Sequence, residues 1–158
     1  MNAVAMRGDA ATHRHFMGLA IDQARMAMAN GEPPFGVVIV DAAGKVVAAN
    51  YDRVHSLGDL SAHAEVLTVR DACRLRGPDL SGCILYTTCE PCPMCYTTAW
   101  LARIDAIVYG TSMAAVHARV GDAQREMRVP VEVINDMGPE PIGLLGGVEA
   151  EACLALFC

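Results

Sequence analysis

A chain of 158 residues, 53% hydrophobic and 19% charged, is one domain's worth and too apolar to be intrinsically disordered. Its longest run without Asp, Glu, Lys or Arg, Ala106 to Ala118, is too short to cross a membrane, and the N-terminus carries no apolar signal-peptide core. Twelve basic residues stand against 18 acidic ones, a net charge of −6. That leaves little capacity to neutralise phosphate and favours a small-molecule partner over nucleic acid, a local patch of Arg70, Arg74 and Arg76 being the exception.

In chain order, residues 1–11 are Ala-rich and unpatterned and read as a flexible leader to a single domain over 12–158. Thr12 reads as a helix N-cap, followed by Phe16, Leu19, Ala20, Gln23, Ala24 and Met28 at helical spacing and an Asn30-Gly31 stop. Pro33-Pro34 precedes a strand from Gly36 to Val40, and Asp41-Ala42-Ala43-Gly44 turns into a partner strand over Lys45 to Asn50. A loop over Tyr51 to Ser61 leads to a helix from about Ala62 to Leu75, which ends before Gly77-Pro78. Cys83 to Thr88 is a buried-type strand, Pro93 to Ala102 a helix and Ala106 to Tyr109 a strand. Weaker signals give short helices near 112–127, a strand at Val131 to Ile134 and a final helix over Gly147 to Phe157. This order predicts an α/β protein: a three-layer α/β/α sandwich on a five-stranded mixed sheet, beginning with an antiparallel hairpin and continuing in parallel.

The seven cysteines are an odd number, and without a secretory signal they point to the reducing cytoplasm, where a tight cluster means metal binding or catalysis. Cys73, Cys83 and Cys153 sit among apolar residues and read as small core side chains. Cys92 and Cys95, in Pro91-Cys92-Pro93-Met94-Cys95, fall on one side of a helix start, where the helix dipole favours thiolate. With His63 of His63-Ala64-Glu65 they make three zinc ligands, and catalytic zinc sites leave the fourth place to water. Glu65, two residues on, is placed to accept a proton from water that the metal has acidified. Glu90, beside Cys92, is expected to orient the loop. Cys89 extends the run to C-x2-C-x2-C, but an iron–sulfur cluster needs a fourth cysteine that Tyr96 to Arg103 does not supply. A closed structural site of His63, Cys89, Cys92 and Cys95 is the alternative that would leave Glu65 idle. His13, His15, His55 and His117 read as surface or packed histidines.

H-x-E followed by P-C-x-x-C is the signature of zinc-dependent nucleobase deaminases. Over about residues 12–135 the chain resembles the cytidine deaminase-like superfamily. Gly-Glu-Pro-Pro-Phe-Gly-Val-Val-Ile-Val, His-Ala-Glu-Val and Leu-Tyr-Thr-Thr-Cys-Glu-Pro-Cys-Pro-Met-Cys look most like bacterial guanine deaminases, with tRNA adenosine deaminases next. The resemblance implies one Zn2+ per chain on His63, Cys92 and Cys95, with Glu65 as proton shuttle. It also implies backbone N–H groups of Ala64 and Cys92 near the reacting carbon, Phe35 close to the base, and a homodimer. Both relatives usually carry Asn where this chain has Asp52. A carboxylate only accepts hydrogen bonds, so Asp52 argues against guanine and for an amino-pyrimidine or amino-triazine, unless it pairs with Arg53 or caps a turn. The implied reaction is hydrolytic deamination of a free base or base-like ring, releasing ammonia without an organic cofactor. A tRNA adenosine deaminase is the alternative, and a non-enzymatic zinc-stabilised domain the third reading.

Overall fold

Five strands form one mixed sheet in the computed structural model, which describes residues 6–158. β1 (Gly36–Val40) and β2 (Val46–Tyr51) are the antiparallel hairpin, β1 also runs antiparallel to β3 (Ile84–Cys89), and β3, β4 (Ala106–Thr111) and β5 (Gly143–Leu145) are parallel, in the order β2-β1-β3-β4-β5. β1 and β3 are buried throughout, as expected of central strands written as continuous Val/Ile/Leu-rich runs.

Helices cover both faces. The 20-residue α1 (Ala10–Ala29) lies on the face bearing Gly36, Val38, Tyr86 and Val108. A Cβ at Gly36 would collide with Ala20 O and Ala24 N, so glycine sets how closely α1 approaches the sheet. Met17, Ala20 and Ala24 are fully enclosed there, and the Tyr86 hydroxyl, 2.9 Å from His13 Nδ1, keeps a partner inside the core. The same face receives α7 (Ala150–Leu154), where a Cβ at Gly110 would meet Cys153 and Thr88 O. The opposite face carries α3 (Ala64–Arg76) and α4 (Pro93–Leu101), which pack on each other. β1 begins where β3 ends, so Gly36 faces Thr88, and the starts of α3 and α4 gather at that edge.

Several expectations are corrected. Asp9, not Thr12, caps α1: its side chain accepts from Thr12 N at 2.8 Å, so residues 10 and 11 are helical rather than leader. Residues 1–5 of the expected leader lie outside the described residues. The buried stripe of α1 runs through Phe16, Met17, Ala20, Ile21, Ala24 and Ala27, and Met28 faces out. The 51–61 loop contains a short helix, α2 (Val54–Leu57). After α5 (Met113–Val120) the chain makes a single 3₁₀ turn at Gly121–Ala123. Val131 to Ile134 is not a strand but the start of α6 (Val131–Met137), because Pro130 precedes it and the Glu90 carboxylate takes the free Val131 N–H at 2.9 Å. The fifth strand is β5, and the final helix is shorter than expected. The three-layer sandwich on a five-stranded mixed sheet stands.

Candidate active site

Two helix N-termini meet at the sheet edge. His63 is the N-cap residue of α3 and Cys92 that of α4, whose first residue is Pro93. His63 Nδ1 lies 3.8 Å from Cys92 Sγ and 3.4 Å from Cys95 Sγ, and the three donor atoms all lie within 4.8 Å of one another. Ligands about 2.0–2.3 Å from a tetrahedral zinc are separated by roughly 3.3–3.8 Å, so both His63–cysteine separations suit zinc, as do two thiolates with one imidazole. Cys92 falls to about 4, chiefly through its hydrogen bond with Cys95 and then with His63, while His63 rises to about 9 through its bond with Cys92. Burial and the Cys92 bond push Cys95 up. One thiolate is thus preformed. Cys89 stands outside this cluster, buried at the end of β3, so no four-ligand closed site forms among the described residues.

Glu65 lies in the first turn of α3, 5% exposed, with Oε1 accepting from Thr87 Oγ1 at 3.0 Å. Burial raises its carboxyl, and the nearby Cys92 charge adds to that. Ala64, first residue of α3, is fully buried, and its N–H lies among the helix donors with no intrahelical acceptor.

Asp52 is buried and caps a turn, as one of its two readings expected. Its Oδ1 caps the turn into α2 by accepting from Val54 N at 3.0 Å, while Oδ2 has no hydrogen-bond partner among the described residues. Burial raises its carboxyl against the Val54 bond and the His63 charge. Its own N–H donates to Phe35 O, which ties the two residues together. Phe35 is in turn covered by Phe157 of the same chain, ring centroids 5.3 Å apart.

Glu90 does more than orient its loop. Its two oxygens accept from Met113 N (3.0 Å) and Val131 N (2.9 Å), fixing the starts of α5 and α6. Two further acidic residues were given no role from the sequence, Glu32 inside the Gly-Glu-Pro-Pro-Phe-Gly run and Glu126 outside any motif. Glu32, nearly enclosed, holds α2 by accepting from His55 N (2.9 Å) and Ser56 N (2.7 Å). Glu126, half-buried, sits near enough to Cys92 and Glu65 that burial first, and then their charges, raise its carboxyl to about 7. Of the histidines, His13 is packed, His55 meets Gly31 O and His117 meets Gly121 O; none belongs to the metal cluster.

The family model for the cytidine and deoxycytidylate deaminase zinc-binding region matches residues 10–111. The chain belongs to that family, and the His63–Cys92–Cys95 cradle is the candidate for its zinc site. It is 43% identical over 101 residues to a tRNA-specific adenosine deaminase of Agrobacterium fabrum, covering 63% of this chain and 66% of that one. It is 44% identical over 91 residues to a guanine deaminase of Bacillus subtilis, covering 57% and 55%. The matches therefore span between about half and two thirds of those relatives. Among solved structures, one from work on A-to-I editing by tRNA:A34 deaminases superposes with TM-score 0.74 at 32% identity, covering 90% of this chain and 98% of the other. A guanine deaminase from Nitrosomonas europaea gives 0.81 at 25%, covering 91% and 81%. No helix among the described residues is long and apolar enough to cross a membrane.

Proposed function

We propose that this chain is a zinc-dependent hydrolytic deaminase that removes the exocyclic amine of a nucleobase, and that the base belongs to an RNA nucleotide. The chemistry rests on one observation: the buried Glu65 carboxylate beside the three-donor cradle. Zinc held by His63, Cys92 and Cys95 would supply an acidified water, with a pKa lowered toward about 7. Glu65 takes a proton from water and delivers it to a ring nitrogen as the amidine carbon is attacked; it then takes the proton of the newly added hydroxyl and passes it to the exocyclic amine, so that the C–N bond breaks, a carbonyl forms and ammonia leaves. Thr87 fixes the carboxylate for this work, and a carboxyl raised by burial suits a group that must both accept and release a proton. The Ala64 N–H is assigned to the reacting edge of the base, Phe35 to its face, and Asp52 and Glu126 to its remaining polar edge.

The tRNA adenosine deaminases among the relatives support the RNA reading over the small-molecule partner suggested by the acidic composition. A specific pair of observations favours a second reading, a free heterocycle rich in N–H groups: Asp52 and Glu126 present carboxylates to the site, and Phe157 closes over Phe35. One assay separates them. Inosine formation in an adenosine-bearing RNA hairpin is compared with ammonia release from free purines, pyrimidines and triazines, in the parent and in Glu65→Ala. Glu65→Ala is expected to keep about one zinc per chain and lose turnover; full activity in that variant, or a metal-free parent, sinks the proposal.

Two further elements complete the reading. The seven free cysteines are supported by a reducing compartment such as the cytoplasm. Leu101 on α4 and Val133 and Met137 on α6 are exposed apolar residues on two packed helices, which supports a homodimer, to be checked by sedimentation.

A further inference from the structure

On the outer side of α3 a cleft of about 330 Å3 is lined by Arg53, Arg70 and Arg74 together with Asn50, Leu57, Leu67 and Asp71. Leu67, Arg70, Asp71 and Arg74 recur at helical spacing, so one face of α3 forms a wall, and the start of α2 supplies Arg53 opposite. This is not the Arg70–Arg74–Arg76 patch visible in the sequence. Arg76 turns away and pairs with Asp41 at 2.6 Å, and Arg53 takes its place.

Three guanidiniums here face one carboxylate. Asp71 is engaged on both oxygens, by Arg74 Nη1 at 3.4 Å and Asn50 Nδ2 at 3.1 Å. Arg53 and Arg70 make no ion pair among the described residues. The Arg53 guanidinium is held 4.8 Å over the Tyr51 ring, and its Nε is buried without a hydrogen-bond partner among the described residues. A buried unmet donor, two unpaired cations and a concave wall are the elements of an anion site, and planar guanidinium forks match phosphate oxygens in pairs.

We infer that this cleft receives a phosphate group of the substrate, either a backbone phosphodiester of RNA or the phosphate of a free nucleotide. The inference rests on the deaminase reading for its placement. Arg53 directly follows Asp52, which the proposed function sets at the edge of the base, and Arg70 lies five residues along α3 from Glu65, about 7.5 Å of helix rise. One nucleotide-bearing molecule thus has its base directed by Asp52 and a phosphate directed by the next residue. The cleft also bears on the charge objection to RNA: within a chain of net charge −6 it gathers three arginines around one carboxylate.

The test uses zinc-loaded Glu65→Ala protein, so that binding is read without turnover. Affinities for AMP, adenosine and a fluorescent RNA hairpin are compared, with inorganic phosphate as competitor, and repeated in Arg70→Ala and Arg70→Lys, both at an exposed position that spares the fold. AMP is expected to bind at least about tenfold tighter than adenosine. Arg70→Ala should erase most of that difference and flatten the salt dependence of hairpin binding by about one unit of slope, with partial recovery in Arg70→Lys. If the hairpin alone shows the effect, the phosphate is a polymer's; if AMP shows it too, a monoester suffices. Equal binding of AMP and adenosine together with a parent-like hairpin affinity in Arg70→Ala overturns the cleft. Phosphate-dependent, Arg70-dependent binding without deamination of any RNA base keeps the cleft and overturns the RNA reading instead.

Discussion

Phe157, the residue before the C-terminus, lies edge-on against Phe35, their rings 5.3 Å apart and inclined at 64°. The contact encloses both rings: Phe157 is 4% and Phe35 8% exposed. Truncating Phe157 removes a buried ring packed on Phe35, the residue that the proposed function sets against the base. Phe157→Ala is expected to lower stability by about 3 kcal/mol and to raise KM more than it lowers kcat, with Phe157→Leu recovering most of both. Urea unfolding and steady-state kinetics check this, and an unchanged KM would remove Phe157 from the substrate's surroundings.

Asp52 caps the turn into α2 with one oxygen and keeps the other without a hydrogen-bond partner among the described residues. Asp52→Asn can keep the bond from Val54 while presenting an amide that also donates. The variant is expected to move preference toward rings with acceptor edges, adenine and guanine, by about tenfold in relative kcat/KM, with little loss of stability. A substrate panel assayed on both proteins measures the shift. An unchanged ranking would confine Asp52 to the turn.

Glu32 carries a pH signature. Burial alone would raise its carboxyl, but the bonds from Ser56 and His55 outweigh that and hold it below the ordinary 4.5. A depressed folded value means stability that is complete above about 4.5 and lost as the pH falls through the lower folded value. Glu32→Gln is therefore expected to be less stable than the parent by about 1–2 kcal/mol at pH 7, with the gap narrowing below pH 4.5. Paired urea titrations from pH 7 to pH 4 read the difference, and a gap that widens on acidification contradicts the assignment.

Zinc removal separates a catalytic site from a structural one. The sheet core of Val37, Ile39, Leu85 and Ile107 is fully buried without help from the cradle. Chelation is expected to abolish deamination while the circular dichroism spectrum persists, with a fall in thermal stability no larger than the lost binding energy. Unfolding of the apo protein would instead mark zinc as a folding element.

How much of this was legible in the sequence depended on whether neighbours in space were neighbours in the chain. His63 with Glu65, and Cys92 with Cys95, announce themselves because each pair sits within one helical turn. β1 and β3 were readable as apolar runs bounded by proline and glycine. Val131 to Ile134 misled because Val-Glu-Val-Ile alternates like a strand, whereas its conformation is decided by Glu90, 41 residues earlier. β5 was missed because three half-buried residues, Gly143 to Leu145, hold too little pattern. Glu126 and Phe157 lie beyond residue 111, where the family match ends, and come near Cys92 and Phe35 respectively only through the fold.

The grip of Glu90 on Met113 and Val131 has a wider consequence. Between those two anchors runs a span of the chain that bears Glu126, slung like a rope bridge whose end posts stand on the cysteine loop itself. Met113 and Val116 at its start are packed in the core, so only the part from Gly121 to Pro130 is free of that packing. Transplanting a relative's residues into that part is accordingly the most economical route to a deaminase of altered taste.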